Sequence, residues 1–411
     1  MLKVSIVVLF IKVVTLSCVL FYTQLITNNF NKTTAGEVFW IISTVTFVAV
    51  LSRLGLDRVL LRYLIDANSK ADSKLIGRLI GTAFRKIGSY SLLLSFLAGG
   101  VIYVNNFPSL WWLVFAFVIV FFNFVVLFAE IVRAKGKIFL ANILNNFLQS
   151  FLFSIILYVT LISEISGHYY IYVLFFISYF LVFIISVFAY KFSYTPGKIY
   201  LGSESDQDLL NSAKKVFGSI VASLIMERGI ILLTGVFHDM SDVALLEVSY
   251  KFYFLFTFLI MAINNALANR FTADVFENKE SISLLFRKVT LLIVLVSFPV
   301  MLITVYFVED ILNVFGREYV DIKNHVYILL ASQCVNIITG PVSMVLLMSG
   351  EEKVLRNNSY ITLVAFIVIG VPVIISYGFD GAVVVMSSVL VLGNLLSSIS
   401  VYKKFRVLSF I

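Results

Sequence analysis

The chain has 411 residues, 60% of them hydrophobic and only 13% charged, with a mean hydropathy of +1.01. No soluble globular protein of this length carries so apolar a composition, so the sequence is that of a polytopic membrane protein. The formal charge of +8 does not mark a nucleic-acid binder, because the Lys and Arg are dispersed between apolar runs. Cys18 and Cys334, the two cysteines, each sit inside an apolar run and give no support to a disulfide framework.

Windows of about 20 apolar residues, the length a hydrocarbon core of about 30 Å demands, fall at 4–26, 37–61, 84–104, 110–133, 139–162, 169–190, 212–236, 243–267, 285–307, 325–348, 358–376 and 379–401. They predict an all-α fold of twelve transmembrane helices. The first window follows Lys3 and has no small-residue cleavage site after it, so it is read as an uncleaved span. Pro299, Pro341 and Pro372 are the expected kinks. With both termini placed in the cytoplasm, 25 of the 31 Lys and Arg fall on that side, which leaves Lys32, Arg317 and Lys323 outside and Lys12, Arg228 and Lys251 within spans. The longest polar stretch, Phe192 to Asn211, divides six spans from six. The expected organisation is therefore an N-terminal lobe at 1–191, a cytoplasmic linker at 192–211 and a C-terminal lobe at 212–411, related by an internal repeat. Thr33-Thr34-Ala35-Gly36 before the second span and Met240-Ser241-Asp242 before the eighth occupy matching places.

Helical spacing marks polar faces inside the membrane. Asn142, Asn145 and Gln149 lie at i, i+3 and i+7 on the fifth span. Asn123 and Glu130 are seven apart on the fourth, Gln333 and Asn336 share the tenth, and Ser387 and Asn394 share the twelfth. Each such residue can act as interhelical glue, whereas the set together fits a hydrated cavity. The intramembrane charges need a reason, since each costs about 2.5 to 3.5 kcal/mol at the bilayer centre on insertion scales. Lys12 lies two turns inside the first span, within reach of the interface. Arg53, Arg58 and Arg62 line the end of the second span, and Glu130 with Arg133 forms an expected i,i+3 pair. Glu227-Arg228 and Glu247…Lys251 interrupt the seventh and eighth spans, and two readings stay open: the i,i+4 pair Glu247/Lys251 locks a helix, or the cations face a wet cavity. His168, His238 and His325 fall beside span ends on the external side, where they anchor at headgroup level or sense pH. No nucleophile with a base and no metal-spaced cluster occurs, so neither an enzyme nor a metal site is expected. Asn31-Lys32-Thr33 and Asn357-Asn358-Ser359 match the glycosylation pattern and are set aside.

Several short motifs, in order along the whole chain, carry a family resemblance. They are Gly36 with the aromatic run after it, Leu54-Gly-Leu-Asp-Arg58 with Arg62, Arg133-Ala-Lys-Gly136-Lys, Glu227-Arg228 and Tyr250-Lys251. Val314-Phe-Gly316-Arg-Glu-Tyr319, Gly340-Pro341 through Met348-Ser-Gly350, and Tyr377-Gly-Phe-Asp-Gly381-Ala382 complete the set. The sequence resembles the lipid-linked oligosaccharide flippases of bacterial polysaccharide biosynthesis, the O-antigen type within the multidrug/oligosaccharidyl-lipid/polysaccharide exporter superfamily. The resemblance implies two six-helix lobes around a central cavity in the bacterial inner membrane, alternating access, and a substrate of polyprenyl diphosphate carrying a short oligosaccharide. It also implies coupling to a proton or sodium gradient with no bound cofactor, and partners such as a polysaccharide polymerase and chain-length proteins. Glu227 departs from the Asp often found before the base of the seventh span in this family.

On that basis Arg228, Lys251, Lys12 and Arg58 are the candidate diphosphate ligands. Asn142, Asn145, Gln149, Asn123, Gln333 and Asn336 are candidates for sugar contact or cavity lining. Glu227, Glu247 and Glu130 are candidate coupling or orienting acids. A cation-coupled multidrug exporter of the same superfamily and a membrane glycan polymerase or ligase are the alternatives.

Overall fold

The computed structural model describes residues 2–70, 72–104, 111–163, 170–193, 206–271 and 273–407. His168 and most of the connection between the halves, including Thr195-Pro196-Gly197, lie outside the described residues. In chain order the α-helices are α1 (Leu2–Asn29), α2 (Lys32–Ser52), α3 (Leu56–Ser69), α4 (Ser73–Val104), α5 (Trp111–Ala134), α6 (Ile138–Asn142), α7 (Leu148–Ile162), α8 (Tyr170–Ser193), α9 (Gln207–Phe237), α10 (Met240–Leu267), α11 (Ala273–Glu277), α12 (Lys279–Tyr306), α13 (Val308–Val314), α14 (Lys323–Thr339), α15 (Val342–Met348), α16 (Glu352–Ala365) and α17 (Val371–Phe405). No strand occurs among the described residues. Among the described residues, nine helices are long and apolar enough to cross a membrane, or ten if α14 and α15, bent by 43° at Gly340-Pro341, form one span.

Twelve spans are consistent with this. The run Glu352–Phe405 is 54 residues long, about 81 Å as a straight helix and far more than one hydrocarbon core. It breaks at Gly378 (φ 56°, ψ −129°), between the two windows expected there. α4, which is not one of those nine, covers the window at 84–104. Pro299 lies within an uninterrupted α12. Pro372 follows a π-helical turn, Phe366–Gly370, at the start of α17, where a proline's missing N–H and ring are accommodated by the widened turn.

One expected boundary shifts. The second apolar window runs to 61, but α2 ends at Ser52 and the chain reverses through Leu54 (φ 52°) and Gly55 (φ 76°) before α3 starts. Hydropathy cannot see that left-handed turn, because Leu54, Leu56, Leu60 and Leu61 keep the average high. Leu56, Leu60, Leu64 and Ala67 form the buried stripe of α3, which leaves Arg58 and Arg62 on its exposed face.

The contacts divide the chain into two compact units: Met1–Leu25 with Ile41–Val221, and Ile26–Trp40 with Ala222–Ile411. In the first unit α5 packs on α4 and α8, and α3 lies against α4 and α5. The stripe of α3 meets Ile76, Leu79 and Ile87 of α4 and Leu127, Phe128 and Ile131 of α5. Leu209 and Ala213 of α9 join the same cluster. Tyr63 and Ser212 share a hydrogen bond of 2.8 Å, and Arg78 pairs with Asp206 at 3.0 Å. These contacts tie the first turns of α9 to the first unit, so the division between the two units falls at Val221, inside α9.

In the second unit α10 packs on α12, α14 and α17, and α14 packs on α17. Residues 26–40 belong here despite their place in sequence. Asn28 donates to the Val314 carbonyl (2.8 Å), Trp40 Nε1 donates to the Leu232 carbonyl (3.2 Å), and Lys32 lies 3.9 Å from Glu318. Gly36 sits so close to Met240 that a Cβ would fall 1.6 Å from its carbonyl oxygen. The two segments read as counterparts thus touch. Asn31, read as part of a glycosylation pattern, accepts a hydrogen bond from the Thr34 N–H (2.8 Å) at the start of α2, as an N-cap does.

Candidate functional site

The second unit contains a cavity of about 580 Å³. Its walls follow from helical periodicity. Ser223 and Glu227 lie one turn apart on α9, Tyr250, Tyr253, Phe254 and Thr257 follow at i, i+3, i+4 and i+7 on α10, Asn358 and Thr362 are i,i+4 on α16, and Leu390, Asn394 and Ser397 line one face of α17. Glu227 is the carboxylate of this lining, and it is exposed to the space. Tyr250, itself buried, donates its hydroxyl to Glu227 Oε1 at 2.7 Å. The Arg228 guanidinium lies 5.2 Å from the centroid of the same ring, and Tyr253 stacks on it at 5.7 Å. Across the cavity Asn358 donates to Ser400 Oγ (3.1 Å) and Asn394 to the Leu390 carbonyl (3.1 Å). The result is a cleft of amides, hydroxyls and aromatic faces around one carboxylate held by a phenol.

Glu247 and Lys251 lie against each other within α10. Lys251 Nζ lies 2.5 Å from Glu247 Oε1, and the two side chains are 8% and 7% exposed. The ammonium also faces Phe39 at 6.0 Å from the ring centroid. Lys251 is therefore a buried, neutralised cation of α10, placed in a structural pair and not in the cavity lining, and Glu247 is its partner. Taking both out of water costs several kcal/mol each, offset by their contact.

The other sequence candidates separate by environment. Asn123 is fully buried and donates to Ser52 Oγ (2.7 Å) and Ser91 Oγ (2.8 Å), while accepting from Arg53 Nη1 (3.2 Å). Arg53 in turn reaches Asp57 at 3.1 Å, so Asn123 is the centre of a knot joining α2, α4 and α5, not a cavity residue. Gln333 is also fully buried and donates to the Tyr253 carbonyl and Thr257 Oγ1, both at 3.0 Å; Asn336 donates to Gln333 at 3.0 Å. These two fasten α14 to α10, directly behind the cavity wall. Glu130 is buried and takes a 2.7 Å bond from Arg133, the expected i,i+3 pair.

Asn142 is buried against the Ile138 carbonyl (2.9 Å), and Asn145 and Gln149 are half-buried. A π-helical turn, Ile143–Phe147, runs through this stripe and brings Asn146 to 3.5 Å from Asn142 Oδ1. Lys12 is half-buried, within Coulombic reach of Arg133. Arg58 is exposed on α3.

Sequence reasoning missed Tyr253, Asn358, Thr362 and Ser397 as wall residues. Asn358 had been seen only as part of a glycosylation pattern; its i,i+4 spacing with Thr362 was the available signal. Among the described residues no group of three His, Cys, Asp or Glu is placed to hold a metal ion.

A family model described as "Polysaccharide biosynthesis protein" matches residues 137–324, a little under half of the chain. Among solved structures, the lipid II flippase MurJ in an inward closed conformation is similar at a TM-score of 0.74 and 14% identity, over 99% of this chain and 89% of that one. An inward-facing multidrug resistance MATE family transporter of the MOP superfamily gives 0.66 and 15%, over 98% and 97%. The chain has the fold of these exporters. The Vibrio cholerae MATE transporter VcmN in its bent form is similar at 0.61 and 15%, over 98% and 97%. No curated protein sequence matches the chain. The family model supports the polysaccharide-biosynthesis part of the resemblance read from the motifs, and the solved structures show the fold. At these identities the fold alone does not separate a saccharide substrate from a drug.

Proposed function

We propose that the chain flips a polyprenyl-diphosphate-linked oligosaccharide across the bacterial inner membrane by alternating access, and that the cavity of the second unit receives the saccharide. The observation that carries this reading is the lining: Asn358, Thr362, Asn394 and Ser397 face Tyr250, Tyr253 and Glu227. Amides and hydroxyls exchange hydrogen bonds with sugar hydroxyls, and aromatic faces cover the apolar side of a sugar ring. The match to a polysaccharide biosynthesis model supports the same class of substrate. Lys251 is paired with Glu247, and within the second unit the diphosphate is assigned to Arg228; Lys12 and Arg58 are the candidate phosphate contacts of the first unit. Glu130 and Glu247 are both held in ion pairs. Glu227 faces open space, and it is the acid assigned to gradient coupling.

The test is complementation of a strain lacking this gene. Wild type restores surface polysaccharide, while Asn394→Leu together with Asn358→Leu reaches the membrane at normal level and restores less than about a tenth, the loss expected when buried polar contacts to a bound ligand are removed. Full polymer from the double variant rejects the saccharide site.

A second reading has its own observation. One carboxylate among aromatic rings is also what a cation exporter of this fold would use. Resistance profiling of an overexpressing strain separates the two: raised tolerance to cationic drugs without any effect on surface polysaccharide favours the exporter.

A further inference from the structure

Resting on the flippase reading, we infer that the second-unit cavity selects saccharides by charge, accepting neutral or amino-bearing sugars and discriminating against acidic ones such as hexuronates, with Glu227 as the residue that sets the preference. The cavity lining contains the Glu227 carboxylate and, among the described residues, no Lys, Arg or His. Neither of the two cations nearest in sequence lines it. Lys251 is closed against Glu247 at 2.5 Å, and the Arg228 guanidinium lies against the Tyr250 ring.

Inside a cleft walled by protein, water is a poor screen, so a second carboxylate placed among these walls meets the first at low effective dielectric. A sugar hydroxyl or ammonium, by contrast, donates to Glu227, whose Oε1 already accepts the Tyr250 hydroxyl. That phenol fixes the carboxylate against the wall. Selectivity of this kind arises from a repulsive element as much as from an attractive one. The diphosphate of the lipid carrier is excluded from this cavity for the same reason, and its cationic ligands lie outside the lining.

The experiment uses the full-length protein in proteoliposomes with two polyprenyl-diphosphate disaccharides that differ at one residue, hexose in one and hexuronate in the other. Wild type is expected to flip the neutral lipid about tenfold faster or more, the consequence of a like-charge juxtaposition. Glu227→Gln should bring the two rates together, and Asn394→Asp, which adds an acid on the facing wall, should widen the gap. Equal rates in wild type, or an unchanged ratio in both variants, overturns the charge selection while leaving the flippase reading intact. If wild type flips neither lipid, the flippase reading fails. The free disaccharides are then titrated against the purified protein, and tighter binding of the hexuronate rejects the inference on its own. The same titration decides the case if Glu227→Gln proves inactive on both lipids.

Discussion

Lys251 and Glu247 show how one residue can carry two incompatible roles until its neighbours are known. Lys251→Ala would leave Glu247 buried without its cation, a loss of about 3 to 5 kcal/mol. Lys251→Met combined with Glu247→Leu removes both charges and keeps the volume, so most of that loss is expected to return. Thermal unfolding of the purified single and double variants measures the coupling between them. A double variant no more stable than Lys251→Ala, or one that is stable yet makes no polysaccharide, would restore Lys251 as a functional cation. Asn123 belongs to the same class of residue. Its amide satisfies Ser52 and Ser91 and its oxygen satisfies Arg53 Nη1, so Asn123→Leu takes one acceptor from a buried guanidinium that keeps Asp57 and should cost about 1 to 3 kcal/mol, read as a lower unfolding temperature with the cavity of the second unit untouched.

At the level of elements, the break at Gly378 turns one 54-residue helical run into two spans. Its positive φ suits glycine, and a Cβ there would lie 2.9 Å from Asp242 Oδ2 and 3.1 Å from His238 Nδ1. His238 Nε2 sits 2.9 Å from the Ile374 carbonyl and 3.1 Å from that of Ile375, acceptors that the interrupted helix no longer pairs. Gly378→Ala is therefore expected to destabilise the protein by about 1 to 3 kcal/mol and to lower the amount of folded protein in the membrane. An unfolding temperature within a degree of wild type would show that the helix can close over this position. His238, placed by sequence at the external interface, is thus a cap for the turn between the last two spans. His325 makes a contact between helices as well, 2.7 Å from Asp380.

Across the whole molecule, the membrane class and the helical content were legible because burial in hydrocarbon requires about 20 apolar residues per crossing and favours helices, which satisfy the backbone within each segment. The end of the second span was not legible, because the turn at Leu54 is a matter of dihedral angles and not of hydropathy. Local pairs were legible as well: Glu130 with Arg133 and Glu247 with Lys251 are one turn apart, and helix geometry alone brings them together. The cavity was legible only in part. Glu227 and Asn394 stood out as polar residues in apolar helices, but nothing in the sequence joined them to Tyr253, Asn358 or Ser397, which lie on three helices. Nor could spacing tell which amides face open space and which face a neighbour. Asn123 and Gln333 have the same chemistry as Asn358, and both are spent on holding helices together. The sequence by itself determined that the chain crosses the membrane as helices and which faces are polar, since both follow from composition and a period of 3.6 residues. Only the tertiary structure decided which polar faces meet one another and which enclose a cavity, because that depends on contacts between separate helices, such as Gln333 with Tyr253 and Asn123 with Ser52.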